Sequence, residues 1–146
     1  MPDPDREAPV LVVDDDPAIL SAVADVLRIE GYQVETAANG EQALTLLEGT
    51  APALVLLDMR MPVLDGWAFA RAARERGLEL KTIVMTAAQD AKSWAAEIGA
   101  TGFLAKPFQI DELIATVEDH WPHAAAREES NGGRLAGAEG FEPSIS

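Results

Sequence analysis

Acidic, hydroxyl and ammonium side chains directly follow runs of apolar residues in this sequence. Asp14 and Asp15 follow VLVV, Asp58 follows LVLL, Thr86 follows TIVM and Lys106 follows FLA. Clustered carboxylates can hold a hard divalent cation, because such ions prefer oxygen ligands. A hydroxyl and an ammonium group can bind an anion. If the fold brings these side chains together, they have the chemistry of a phosphoryl-transfer site.

Apolar runs and helical patterns alternate along the chain, which predicts an α/β fold. Five strands are expected, at residues 10–13, around 34, at 54–57, at 82–85 and at 103–105. Five helices are expected, at residues 18–30, 39–49, 66–76 and 90–98, and last an amphipathic helix with Ile110, Leu113, Ile114, Val117 and Trp121 on one face. Strict alternation predicts a parallel sheet with right-handed crossovers and with helices on both faces.

The carboxyl ends of the strands are where an open α/β sheet binds its ligands. If the first and third strands are neighbours, the carboxylates of Asp14, Asp15 and Asp58 converge at that edge. Two unit charges ~4 Å apart repel by roughly 4 kcal/mol at an effective dielectric constant of ~20. A divalent cation is the natural compensation for such repulsion, and we therefore expect a metal site there.

Composition sets the class of protein. The chain of 146 residues is expected to form one domain at residues 9–122, between a flexible N-terminus at 1–8 and a flexible tail or linker at 123–146. It has no cysteine, its N-terminus does not have the pattern of a signal peptide, and no apolar run is long enough for a membrane span. These features predict a cytoplasmic protein with no membrane contact. A net charge of −14 disfavours direct binding of nucleic acid.

Four motifs, VVDDD, LLDMRMPVLDG, VMTA and LAKPF, resemble those of the receiver domains of two-component response regulators, in order and in spacing. The resemblance covers roughly residues 9 to 121. It implies a flavodoxin-like (βα)5 fold whose parallel sheet has the strand order 2-1-3-4-5. It also implies that Asp58 is the phosphoacceptor, phosphorylated by a histidine kinase or a phosphotransfer protein.

The same resemblance assigns roles to the other residues of these motifs. Mg²⁺, or Mn²⁺ in its place, would be bound directly by Asp15, Asp58 and the backbone carbonyl of Arg60, and through water by Asp14. The phosphoryl oxygens would be held by Thr86 and Lys106. Phe103 would be the aromatic switch residue, and the Lys106–Pro107 peptide bond is expected to be cis.

A receiver of this kind would not be an enzyme, except that it catalyses its own phosphorylation and dephosphorylation. The surface of the fourth helix, fifth strand and fifth helix is expected to bind a downstream protein, or to form a dimer on phosphorylation of an otherwise monomeric chain. Trp94 falls off the apolar line of its helix and is expected to be partly exposed on that surface.

Three other interpretations remain. A phosphatase of the haloacid dehalogenase type also uses a strand-end aspartate with Mg²⁺, but it needs a second acid where this chain has Arg60. A binding module with a degenerate phosphoacceptor is disfavoured, because every acidic, hydroxyl and ammonium residue of the pattern is present. The chain could also be the receiver fragment of a larger regulator with a DNA-binding or enzymatic output domain.

The remaining conspicuous polar residues are assigned to helix ends. Asp16, just before Pro17, and Asp65, just before Gly66, are expected to cap helices. His120 and His123 lie near the end of the last helix, where the helix dipole favours a cation, and are not expected to be phosphorylated.

Overall fold

A computed structural model describes residues 7–122, in which five strands alternate with five helices. The strands are β1 (Val10–Val13), β2 (Val34–Ala37), β3 (Leu54–Asp58), β4 (Thr82–Ala87) and β5 (Gly102–Lys106). The helices are α1 (Pro17–Ile29), α2 (Gly40–Leu46), α3 (Gly66–Glu75), α4 (Ala88–Ile98) and α5 (Ile110–His120). The predictions of a flexible N-terminus and a flexible tail fall almost wholly outside the described residues.

The five strands form one parallel sheet in the order β2-β1-β3-β4-β5. β1 lies between β2 and β3, so that Val10 is paired with both Val34 and Leu54. The prediction of an α/β fold with a parallel sheet in the order 2-1-3-4-5 is confirmed. The order matters for function, because it makes the strands that precede Asp14 and Asp58 direct neighbours.

Both faces of the sheet are buried by apolar clusters. One cluster joins α1 and α5 to the sheet through Val23, Leu27, Leu113 and Val117. The other joins α2, α3 and α4 to the opposite face through Ala43, Leu44, Phe69, Ala95 and Ile98. Successive residues of a strand point to opposite faces, and a strand covered on both sides is therefore apolar throughout. Every residue of β1 and β3 is buried for this reason.

Short polar side chains set the starts of three helices. Asp16 caps α1 by accepting a hydrogen bond of 2.9 Å from the N–H of Ala18, and Asp65 caps α3 in the same way from Ala68 at 2.9 Å. Both capping predictions are confirmed. Asn39 caps α2 by accepting from the N–H of Gln42. These caps fix where the chain turns at the carboxyl edge of the sheet, and so fix the loops that carry the polar residues.

Two sequence-based expectations were wrong in detail. β4 continues past residue 85 to Ala87, because its pairing with β5 extends to Lys106, and α4 then begins immediately at Ala88. Ile110 does not join the buried face of α5: it is 62% exposed. It is the first residue of α5, at the edge where β5 has already ended, so no strand lies beneath it. Among residues 7–122, no helix is long and apolar enough to span a membrane.

Candidate functional site

Asp14 and Asp58 lie side by side at the carboxyl edge of the sheet. β1 and β3 are paired up to Val13 and Leu57, and each aspartate is the next residue of its chain segment. Asp14 is fully buried and Asp58 is 6% exposed. Asp15, the following residue, is exposed. One carboxylate oxygen from each of the three aspartates lies within 4.8 Å of the other two, so this edge of the sheet does bring them together.

Lys106 supplies the cation of the cluster from the end of β5. Its Nζ lies 2.8 Å from Asp14 Oδ2 and 3.8 Å from Asp58 Oδ1. The second oxygen of Asp14 accepts a hydrogen bond of 2.9 Å from the N–H of Asp16. Asp58 Oδ1, by contrast, accepts from the described part of the chain only a long hydrogen bond of 3.4 Å, from the N–H of Arg60. Asp14 is therefore well satisfied within the protein, whereas Asp58 is held more weakly.

This arrangement raises the pKa of Asp58 from 3.8 to about 7. Burial is the largest cause, because it removes the charged form from water, and the negative charge of Asp14 adds to it. The ammonium group of Lys106 and the N–H of Arg60 oppose the rise, and Asp15 adds a smaller increase. A cation among the three carboxylates would favour the ionised form of Asp58. The donor set therefore fits a divalent metal ion.

Thr86 and Phe103 lie on the neighbouring strands, in different environments. Thr86 is buried, with 5% exposure, near the end of β4, where it is paired with Ala105 one residue before Lys106. Its position brings it to the same edge of the sheet as the carboxylates. Phe103 lies three residues before Lys106 and is 45% exposed, so its ring is on the outer surface of β5. The Lys106–Pro107 peptide bond that follows is cis.

The side chain of Arg60 contacts α4 rather than the carboxylates. Its guanidinium carbon lies 5.0 Å from the centroid of the Trp94 ring in α4. Trp94 is partly exposed, as predicted, and meets the ring of Trp67 edge-on at 4.8 Å. Sequence reasoning missed this stack, because the three residues belong to separate elements and no local spacing connects them. The side chain of Arg60 is free of any salt bridge within residues 7–122, and its backbone carbonyl has a predicted role only.

An apolar cleft adjoins the cluster and was also missed. It has a volume of about 430 Å³ and lies between α1 and the loop that follows β5, with Ile19, Val23, Pro107 and Phe108 among its lining residues. Lys106 lines the cleft as well. Lys106 is thus shared between the cleft and the carboxylate cluster, whereas none of the three aspartates lines the cleft.

The histidines do not belong to this cluster as far as residues 7–122 extend. The Nδ1 atom of His120 lies 2.9 Å from the carbonyl oxygen of Thr116, one turn back in α5. Its ring lies against Gly102 at the start of β5, the opposite end of that strand from Lys106. The expectation that His120 is a helix-end residue agrees with this position. His123 lies outside the described residues.

Comparison with known proteins agrees with the geometry. The family model of the response regulator receiver domain matches residues 10–118. The response regulator MprA of Mycolicibacterium vanbaalenii is 40% identical over 108 residues, which cover 73% of this chain and 47% of that protein. The chemotaxis response regulator CheY4 of Vibrio cholerae superposes with a TM-score of 0.71 at 33% identity, over 77% of this chain and 98% of that chain.

The relatives differ in length. NtrX from Brucella abortus, solved in complex with ADP, has a TM-score of 0.75 and 32% identity, and the match covers 89% of this chain but 30% of NtrX. This chain spans about half the length of the curated relatives it matches. The same fold therefore occurs both as nearly the whole of a chain and as one part of a larger one.

Proposed function

Since the chain belongs to the family of response regulator receiver domains, we propose that Asp58 accepts a phosphoryl group from a histidine kinase or a phosphotransfer protein. One observation carries the proposal. Within residues 7–122, Asp58 caps no helix and forms no short salt bridge, and it lies at the end of a central strand beside two further carboxylates and an ammonium group. A nucleophile and the groups that stabilise its product are thereby close together.

The transfer step is a displacement at phosphorus. A carboxylate oxygen of Asp58 forms the new O–P bond as the N–P bond to the donor histidine breaks, and the electron pair of that bond leaves with the imidazole. Lys106, whose Nζ is 3.8 Å from Asp58 Oδ1, can contact the oxygens that arrive. Thr86 can donate its hydroxyl proton to another of them from the end of β4. Both contacts strengthen as negative charge accumulates next to Asp58.

Magnesium would be held by the same carboxylates, and manganese could replace it. We propose Asp15, Asp58 and the backbone carbonyl of Arg60 as direct ligands, with Asp14 bound through water. When bound, the ion neutralises charge on the oxygens of the transferring group. The support lies in the three clustered carboxylate oxygens and in the raised pKa of Asp58, because burial and the charge of Asp14 disfavour the ionised form of Asp58 and a divalent cation would favour it.

We propose that the chain catalyses only its own phosphorylation and dephosphorylation. A phosphatase of the haloacid dehalogenase type would place an acid two residues after the nucleophile. Here that residue is Arg60, which cannot act as a general acid near neutral pH and which contacts Trp94 instead. The geometry therefore favours a phosphoacceptor over this phosphatase.

The signal would leave through the surface of α4, β5 and α5, which would bind a downstream protein or a second phosphorylated copy of an otherwise monomeric chain. Phe103 and Trp94 are the partly exposed aromatic residues there. We propose a cytoplasmic location and no direct contact with nucleic acid.

A second candidate function is that of a receiver within a longer regulator that carries a DNA-binding or enzymatic output domain. The partial coverage of MprA and NtrX favours it, whereas the nearly full coverage of CheY4 favours the shorter form.

Incubation with acetyl phosphate tests the proposed chemistry without the unidentified kinase. We expect the intact mass to rise by one phosphoryl group in the presence of Mg²⁺ and to stay unchanged in EDTA. The adduct should be removed by hydroxylamine, as an acyl phosphate is. An adduct that forms equally well in EDTA, or that resists hydroxylamine, would contradict the proposal.

A further inference from the structure

Arg60 contacts both Asp58, the proposed phosphoacceptor, and α4, a helix of the proposed partner-binding surface of α4, β5 and α5. Its backbone N–H donates to Asp58 Oδ1 at 3.4 Å, while its guanidinium carbon lies 5.0 Å above the ring of Trp94 in α4. The side chain is exposed, and the part of the chain that the structure describes gives it no salt bridge. A single residue thus connects the loop after β3 with α4 through an interaction that an anion could replace.

The contact continues beyond Trp94. The Trp67 ring of α3 meets Trp94 edge-on at 4.8 Å, and Trp67 Nε1 donates a hydrogen bond of 2.9 Å to Glu97 Oε1 in α4. A cation–π contact (Arg60–Trp94), an edge-on ring contact (Trp94–Trp67) and a hydrogen bond (Trp67–Glu97) form one chain of contacts that joins the β3–α3 loop, α3 and α4. These contacts connect Arg60 with the packing of α3 against α4.

We propose that Arg60 is a further phosphoryl-binding residue, and that its guanidinium leaves Trp94 for the phosphoryl oxygens when Asp58 is modified. The inference rests on the proposed function and deepens it. In the unmodified protein the guanidinium stacks on Trp94. In the modified protein it binds the new anion, and the Trp94–Trp67 contact between α3 and α4 rearranges.

The guanidinium of Arg60 should prefer a phosphoryl group to the indole ring of Trp94. An indole ring attracts a cation only through its quadrupole, and it does so weakly where the cation remains in water. A phosphoryl group carries close to two negative charges and three strong acceptor oxygens. The planar fork of a guanidinium matches those oxygens in a bidentate arrangement. Because Arg60 is only two residues from Asp58, its long side chain can fold back over the carboxylate without a rearrangement of the backbone.

The guanidinium of Arg60 cannot contact the Trp94 ring and the phosphoryl group at the same time, so the two interactions are energetically coupled. If binding the anion requires that Arg60 leave Trp94, then removal of the indole must favour binding of the anion. We expect Trp94→Leu to strengthen binding of beryllofluoride, a phosphoryl mimic, by roughly two- to fivefold, the factor that an exposed cation–π contact is worth. Arg60→Gln should weaken binding by at least as much. In the double variant the effect of Trp94→Leu should vanish, because no guanidinium remains to be released.

Fluorine NMR of the full chain labelled with 5-fluorotryptophan observes the stack directly. Trp67, Trp94 and Trp121 give three signals, which single Trp→Phe variants assign. Trp121 is the internal control, since it is 4% exposed and packs on Tyr32 at 4.9 Å in the other core cluster. On addition of beryllofluoride with Mg²⁺, we expect the Trp94 and Trp67 signals to shift and the Trp121 signal to remain.

Arg60→Gln gives the decisive comparison. The Trp94 signal of this variant should already lie near the position it takes in the wild type with beryllofluoride, and addition of the mimic should move it little. Lys92→Gln, which removes an exposed positive charge elsewhere on α4, should behave as the wild type. A Trp94 signal that shifts equally in the wild type and in Arg60→Gln would overturn the inference.

The same spectra separate this inference from the proposed function, because they also contain the fluorine signals of bound beryllofluoride. If the wild type shows the signals of bound beryllofluoride but the Trp94 signal does not move, the role of Arg60 is rejected and the proposed function is not. Absence of bound signals from the wild type and from Asp58→Asn alike would reject the proposed function, and the role of Arg60 with it.

Discussion

Lys106 Nζ lies 2.8 Å from Asp14 Oδ2, an ion pair between residues 92 positions apart in the chain. Asp14 is fully buried, so its charge depends on partners inside the protein. The ion pair joins the end of β5 to the end of β1, and in doing so it holds an ammonium group over the β3 edge where Asp58 lies.

The ion pair predicts a defined loss of stability. Lys106→Met should lower the free energy of unfolding of the metal-free protein by about 1–3 kcal/mol, because it leaves a buried carboxylate without its cation. Urea titration in EDTA measures the loss. Lys92→Met, which removes an exposed cation on α4, should change the midpoint very little. Equal midpoints for Lys106→Met and the wild type would show that the Asp14–Lys106 contact does not stabilise the fold.

The raised pKa of Asp58 predicts an unusual dependence of stability on pH. The pKa of Asp58 is about 7 in the folded protein, whereas the ordinary value of 3.8 applies to the unfolded chain. Between these two pH values the folded state therefore binds more protons than the unfolded state. The stability that accompanies the protonated form of Asp58 is therefore complete below pH 3.8, and it is lost as the pH rises from there through about 7. Urea midpoints from pH 5 to pH 8 in EDTA should reveal the loss.

Asp58→Asn is the matching variant for this pH dependence. It removes the titrating group, and it should raise the free energy of unfolding of the metal-free protein at pH 8 by about 1–2 kcal/mol, because a poorly compensated buried charge is removed. The difference from the wild type should shrink toward pH 5. A difference that is constant across this range would contradict the assignment of the raised pKa to Asp58.

Magnesium should stabilise the protein through Asp15. A ligand that binds only the folded state raises the free energy of unfolding by about 1.4 kcal/mol at ten times its Kd. The melting temperature should therefore rise on addition of Mg²⁺, and Asp15→Asn should abolish most of this rise. Since Asp15 is exposed, this substitution should change metal-free stability very little. Asp119→Asn, at an exposed acid of α5, should retain the full Mg²⁺ shift; a shift that persists in Asp15→Asn would exclude Asp15 as a ligand.

The backbone conformation of Val63 predicts that a substitution at this position can stabilise the fold. Its φ is 71°, in the left-handed region that β-branched residues rarely adopt, and its side chain is 71% exposed. Val63→Asn should raise the free energy of unfolding by about 0.5–1 kcal/mol, because asparagine tolerates this conformation and little apolar burial is lost. Val63→Ile, which keeps the strain, should show no gain in urea titration. Loss of stability in Val63→Asn would contradict this account.

The positions of the carboxylates could be predicted from features that are local in the chain, whereas their convergence followed from the strand order that the resemblance to receiver domains implies. Each polar residue directly follows an apolar strand, and the strand order brings those ends to one edge. The stack of Arg60 on Trp94 could not be predicted, because it depends on how α4 packs beside the loop after β3. The exposure of Ile110 was missed for a related reason: helical spacing gives the face of a residue, but not whether the sheet extends beneath it.

A phosphoryl group bound to Asp58 can be trapped chemically, which tests its proposed location directly. Reduction of an aspartyl phosphate with borohydride converts that aspartate to homoserine, which peptide mass spectrometry locates. After treatment with acetyl phosphate and Mg²⁺, we predict homoserine at residue 58 and none in Asp58→Asn. Homoserine at Asp14 or Asp15 with an unmodified Asp58, or a phosphoryl adduct that persists in Asp58→Asn, would contradict the account.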